Sequence, residues 1–77
     1  MEITLSKKAS KELSALDRST RARIVAGIYK LPSGDVKKLQ GYPAAFRLRI
    51  GGFRILFEMS ASEIRVSDIL PRGSAYK

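Results

Sequence analysis

Apolar and charged residues alternate through two adjoining stretches, Phe46-Arg47-Leu48-Arg49-Ile50 and Phe53-Arg54-Ile55-Leu56-Phe57-Glu58, with Gly51-Gly52 between them. The pattern predicts a β-hairpin, because a two-residue Gly-Gly loop accepts the positive φ angles that tight hairpin turns demand. A loop of that length also sets the register. Ile50 then faces Phe53, Leu48 faces Ile55 and Phe46 faces Phe57, so one face of the hairpin is apolar and belongs in a core. On the other face Arg49 lies opposite Arg54, with Arg47 two residues away. Like charges opposed across strands cost stability, so this face is either fully exposed to water or held ready for an anion.

The remaining elements follow from the same periodicities. Met1, Ile3 and Leu5 alternate with Glu2, Thr4 and Ser6, which predicts a short first strand. Ser6 is placed to cap a helix in which Ala9, Leu13 and Leu16 form one stripe. Lys7 and Lys8 sit at the unfavourable end of that helix dipole, where a first turn frays or meets an anion. Asp17 offers a second cap, and a second helix runs to about Lys30 with Ile24, Ile28 and Leu31 inward, until Pro32 stops it. Arg18, Arg21 and Arg23 fall off the stripe and read as a solvated face, with nucleic-acid contact as the alternative. Pro32 to Asp35 is a turn, Val36 to Gly41 a short segment anchored by Val36 and Leu39, and Tyr42-Pro43 leads extended into the hairpin. After a turn at Ser60 to Ser62, Glu63 to Ile69 is again a strand. Its expected register sets Met59 against Ile64, Phe57 against Val66 and Glu58 against Arg65, an attractive pair. The order strand, helix, helix and three strands predicts an α+β fold, with a helical hairpin packed on one face of an antiparallel sheet and the arginines on the other.

Composition narrows what such a domain does. At 77 residues, positions 1–77 form a single domain with one modest core. Without cysteine or histidine there is no disulfide, no thiolate site and no neutral-pH imidazole, which argues against a zinc centre. No apolar run is long enough to span a membrane and the first residues lack a signal-peptide layout, so a soluble, cytoplasmic protein is expected, with no membrane partner. Fifteen Lys and Arg against seven Asp and Glu leave a net charge of +8. On so short a chain that excess points to a polyanion or an acidic protein as partner, the alternative being a basic surface kept for solubility.

Three stretches, Gly34-Asp35-Val36-Lys37-Lys38-Leu39-Gln40-Gly41, the hairpin from Phe46 to Glu58, and Arg72-Gly73-Ser74-Ala75-Tyr76, resemble in their order and spacing the RelE/ParE superfamily of bacterial and archaeal toxins. The resemblance covers nearly the whole chain. It implies a type II toxin–antitoxin system: on the RelE side a toxin that enters the ribosomal A site and cuts mRNA, on the ParE side an inhibitor of DNA gyrase that cuts no RNA. It also implies a RelB-like antitoxin that holds the toxin through a helical segment, with operator DNA reached only through that antitoxin. Carried over residue by residue, the RelE pattern makes Arg47, Arg49, Arg54, Arg72 and Tyr76 the candidate catalytic set, and Lys37, Lys38, Arg47, Arg49 and Arg54 the candidate RNA-binding set. This chain departs from the pattern in having arginine at 47 and 49, where lysine is common. It also stops at Lys77, so a C-terminal helix found in some relatives is not expected.

The chemistry implied is metal-independent and needs no cofactor. RNA is cut when its own 2′-hydroxyl attacks the adjacent phosphate, which requires a proton acceptor, stabilisation of added negative charge, and help for the departing oxygen. Arg47, Arg49 and Arg54 suit the second task as fixed cations, but a guanidinium does not shuttle protons at neutral pH. Tyr76 is the candidate base, its phenol made more acidic by nearby positive charge, with base stacking or a frayed terminus as its alternatives. Arg72 is the candidate for steadying the leaving oxygen. The favoured reading is a ribosome-dependent mRNA endoribonuclease; the alternatives are a ParE-like, non-catalytic gyrase inhibitor and an inactive corepressor bound to its antitoxin.

Overall fold

A computed structural model describes residues 2–42 and 44–71. The chain runs β1 (Glu2–Leu5), α1 (Lys7–Ser14), α2 (Arg18–Tyr29), β2 (Val36–Lys38), β3 (Ala45–Ile50), β4 (Phe53–Met59) and β5 (Glu63–Pro71). The strands form one sheet in the order β1-β5-β4-β3-β2. Its α+β class matches the expectation, with two refinements. The anchored segment after the second helix becomes β2, because Val36, Lys37 and Lys38 find partners in Leu48, Arg47 and Phe46. The sheet is mixed: β2 to β5 are antiparallel, whereas β1 lies parallel to β5, pairing Ile3 with Ile64 and Leu5 with Val66. A parallel partner requires a strand that is distant along the chain, and no hairpin signal announces one.

The helix caps are those the residue types dictate. Ser6 Oγ accepts from the Ala9 amide at 2.9 Å, and an Asp17 carboxylate oxygen accepts from the Thr20 amide at 3.1 Å. The charge conflict in the first turn of α1 is resolved within the chain, since Lys8 Nζ lies 2.6 Å from Asp68 Oδ2 on β5. That hydrogen bond raises Lys8 above its ordinary pKa and holds Asp68 below the usual carboxylate range. Glu12 adds a second tie by accepting from the Ile69 amide at 2.9 Å, past the point where β1 stops pairing with β5. A strand edge that otherwise invites another chain is thereby covered.

At Asp17, hydrogen bonds from Thr20 pull the carboxyl down from 3.8 to about 2. A depressed carboxyl contributes stability that is fully present above its ordinary pKa and lost as pH falls through the lowered value. Asp17→Asn keeps a capping oxygen but not the charge. In urea melts, the wild type is therefore expected to exceed this variant above pH 3.8, with the difference closing as pH approaches about 2. A difference that stays constant over that range would show that the charge contributes nothing.

Ala9, Ile24, Ile28 and Leu31 from the helical half are buried with Leu48, Ile55, Phe57, Ile64, Val66 and Ile69 from the sheet. Phe46 and Phe57 stack with ring centroids 5.5 Å apart. The approach of α2 to the hairpin depends on Gly27, where a Cβ would overlap Ile50 Cδ1. One core thus fixes the inner face of β3 and β4, and strand alternation places Arg47, Arg49, Arg54 and Leu56 on the outer face.

Candidate nucleic-acid interface

The hairpin register is the predicted one: Phe46 pairs with Phe57, Leu48 with Ile55, Arg49 with Arg54 and Ile50 with Phe53. Gly51 takes φ +55° while Gly52 has no positive φ, the arrangement of a type II′ turn with glycine at its first central position. A Cβ on Gly51 would lie 3.1 Å from Arg23 Nη2, so α2 brings a further guanidinium to the turn. Of the two readings open for Arg23 from the helix pattern, a solvated face or a nucleic-acid contact, this position beside the hairpin turn is compatible with the second.

Two transverse rows cross the outer face. One runs Lys37, Arg47, Leu56, Asp68, and the other Arg49, Arg54, Leu70. Arg49, Gly51, Gly52, Phe53 and Arg54 line a cleft of about 150 Å³ at the turn end of the hairpin. Arg49 is exposed and Arg54 half-buried, and no ion pair among the described residues engages Arg49. Two fixed cations flanking a small open cleft attract an anion and are relieved of mutual repulsion by it.

The other candidates are distributed unevenly around that cleft. Arg47 is largely withdrawn: its side chain is only 11% exposed, and Nη1 lies 3.2 Å from the Asp35 carbonyl oxygen and 3.5 Å from Asp35 Oδ1. Asp35 also accepts the Arg49 amide at 3.0 Å through the same carbonyl, so this turn residue braces both arginines. Lys37 shares the outer face with Arg47, its register partner, whereas Lys38 pairs with Phe46 and falls on the opposite parity. The two adjacent lysines are therefore not brought together. Arg72 and Tyr76 lie outside the described residues, and the described part of β5 ends at Pro71, opposite Phe53.

Glu58 and Arg65 are cross-strand neighbours as predicted, but the ion pair expected between them is not the one formed. Arg65 Nη2 instead lies 3.4 Å from Glu63 Oε1, while Thr4 Oγ1 donates to Glu63 Oε2 at 2.9 Å. Arg65 is thus neutralised, though by the residue two positions before it on its own strand. Glu58 remains exposed and lines a depression of about 370 Å³ with Leu39, Tyr42, Ala45, Leu56, Phe57 and Ser67. A bulge helps to shape that depression: Leu56 pairs with Asp68 and Phe57 with Val66, leaving Ser67 as the extra residue.

No protein-family model matches the chain, and no curated protein matches it in sequence. Solved structures do. A chain of the RelB-RelE antitoxin-toxin complex from Methanococcus jannaschii is 28% identical, with a TM-score of 0.81 over 95% of this chain and 94% of that one. The archaeal RelE-RelB complex from Pyrococcus horikoshii gives 24% identity and a TM-score of 0.76, covering 95% and 96%. The chromosomal ParDE system of P. aeruginosa gives 15% and 0.57, covering 92% and 95%. Nearly the whole chain thus adopts the fold of the RelE/ParE toxin superfamily, in keeping with the resemblance its motifs carry.

Proposed function

We propose that this chain is the toxin of a type II toxin–antitoxin system and that it inhibits translation by cutting mRNA on the ribosome. The observation that carries the reading is the Arg49–Arg54 pair, opposed across a two-residue turn on the sheet face away from the core, in a fold shared with RelB–RelE complexes. In the cut, the RNA 2′-oxygen bonds to the neighbouring phosphorus and the bond from phosphorus to the 5′-oxygen breaks. Charge grows on the non-bridging oxygens, and cations already in place stabilise it without reorganising. Arg49 and Arg54 supply them, and Arg47, braced by Asp35, holds the β3 side of the cleft in position. Tyr76 takes the 2′-hydroxyl proton and Arg72 steadies the departing oxygen, roles that rest on the sequence resemblance.

The partner reading follows from the same likeness. A RelB-like antitoxin with a helical, acidic segment complements a +8 chain, and operator DNA is reached through that antitoxin.

Primer extension on translating ribosomes tests the activity. Adding the purified chain is expected to give new 5′ ends that move with the reading frame. Unchanged message together with inhibition of supercoiling would replace this reading with a ParE-like one, and silence in both assays would leave the corepressor role.

A further inference from the structure

We infer that the depression beside the arginine pair is a nucleobase subsite and that Glu58 gives it a preference for guanine. The inference rests on the reading of the arginine face as an RNA-binding surface, and it adds which part of the RNA is read and by what.

Position comes first. Leu56 and Glu58 lie two and four residues beyond Arg54 on the same strand and the same face, about 7 and 13 Å along it at ordinary strand rise. A nucleotide with its phosphate at Arg49 and Arg54 therefore brings its own base, or the next one, over the depression.

The lining then suits a base. Leu39 and Leu56 give an apolar floor, and Ala45, the register partner of Glu58, is too small to fill the space above it. Tyr42 stands at the margin 64% exposed, an arrangement costly for an aromatic in water and useful for stacking on an unpaired base. The volume of about 370 Å³ falls at the lower end of the range of about 300 to 1,000 Å³ usual for small-ligand sites.

Glu58 supplies the selectivity. A carboxylate on a surface that binds a polyanion is repulsive unless it meets hydrogen-bond donors. This carboxylate has no ion pair among the described residues, because Glu63 holds its neighbour Arg65. An ionised carboxylate only accepts, through two oxygens. Guanine presents two adjacent donors, N1–H and the N2 amino group, which match that pair. Adenine and cytosine present an amino group beside an acceptor, and uracil presents one imino N–H between two carbonyl oxygens that the carboxylate repels.

Two measurements test the subsite. In the first, 2′-O-methyl pentanucleotides, which lack the attacking hydroxyl, carry guanine or uracil at the centre and are titrated against the full chain by fluorescence anisotropy. Guanine is expected to bind about tenfold tighter. Glu58→Gln, which keeps shape and removes the charge, is expected to abolish the difference, and Tyr42→Ala to weaken both oligonucleotides about tenfold. Equal affinities in the wild type, or a preference unchanged by Glu58→Gln at unchanged melting temperature, would overturn the inference. In the second, cut sites on translating ribosomes are mapped for the wild type and Glu58→Gln. A guanine at a fixed position from the cut, lost in the variant, supports the subsite; identical cut spectra overturn it. Guanine-selective binding without any cutting would sink the nuclease reading and leave the subsite standing, whereas cutting without base preference would do the reverse.

Discussion

Arg54→Ala is expected to lower ribosome-dependent mRNA cleavage by about 10² to 10³-fold, with antitoxin binding close to wild type. The magnitude follows from the role proposed for it: Arg54 and Arg49 flank a cleft also lined by Phe53 and the glycine turn, where the proposed cut would place the growing phosphate charge. Removing one such group forfeits stabilisation that water supplies poorly. Arg54→Lys keeps the charge but loses the planar fork, and an intermediate loss is expected. Arg49→Ala should fall with Arg54→Ala, since the two face the same cleft. Arg47→Ala should act differently, by releasing Asp35 and loosening the turn that also accepts the Arg49 amide, so part of its loss should appear as lower stability. Primer extension with matched protein concentrations, paired with antitoxin titration, separates these cases. Full cleavage by Arg54→Ala would remove the arginine pair from the mechanism.

Phe57→Ala is expected to leave the chain at the edge of unfolding in the absence of a partner. Phe57 is 1% exposed, stacks on Phe46 and lies between the two longest strand pairings of the sheet. Removing a buried phenylalanine side chain costs about 3 to 5 kcal/mol, and a domain of this length has a total stability of about 4 to 12 kcal/mol. The loss is therefore a large fraction of the whole. Urea denaturation followed by circular dichroism is expected to show the midpoint collapsing toward zero denaturant. Tyr29→Ala, at a site 74% exposed, should stay within about 0.5 kcal/mol of wild type. A Phe57→Ala midpoint equal to that of Tyr29→Ala would mean that the core is not organised around this ring.

The parts of the site that were legible beforehand are those governed by local rules. A two-residue glycine loop and strict alternation specify which residues oppose one another, so the Arg49–Arg54 pairing and its apolar reverse face could be written down from the chain alone. The caps at Ser6 and Asp17 were legible for the same reason, since each acts on an amide three residues away. Lys37 and Lys38 show the limit of adjacency: neighbours in sequence fall on opposite faces once their segment pairs as a strand.

What needed the folded molecule was the choice among partners. Register placed Glu58 beside Arg65, but a long side chain selects from every acid within reach, and Glu63, also hydrogen-bonded to Thr4 on β1, is the one taken. The withdrawal of Arg47 by Asp35 and the capture of Lys8 by Asp68 are of the same kind, contacts across 12 and 60 residues of chain. The position of β1 belongs here too, because a parallel pairing leaves no mark in the turn residues. Sequence by itself determined the hairpin, its register and the side on which its arginines stand, since these follow from alternation and turn chemistry within thirteen residues. Only the tertiary structure decided which of those charges stay accessible, because ion pairing is settled by distances between segments that the chain brings together when it folds.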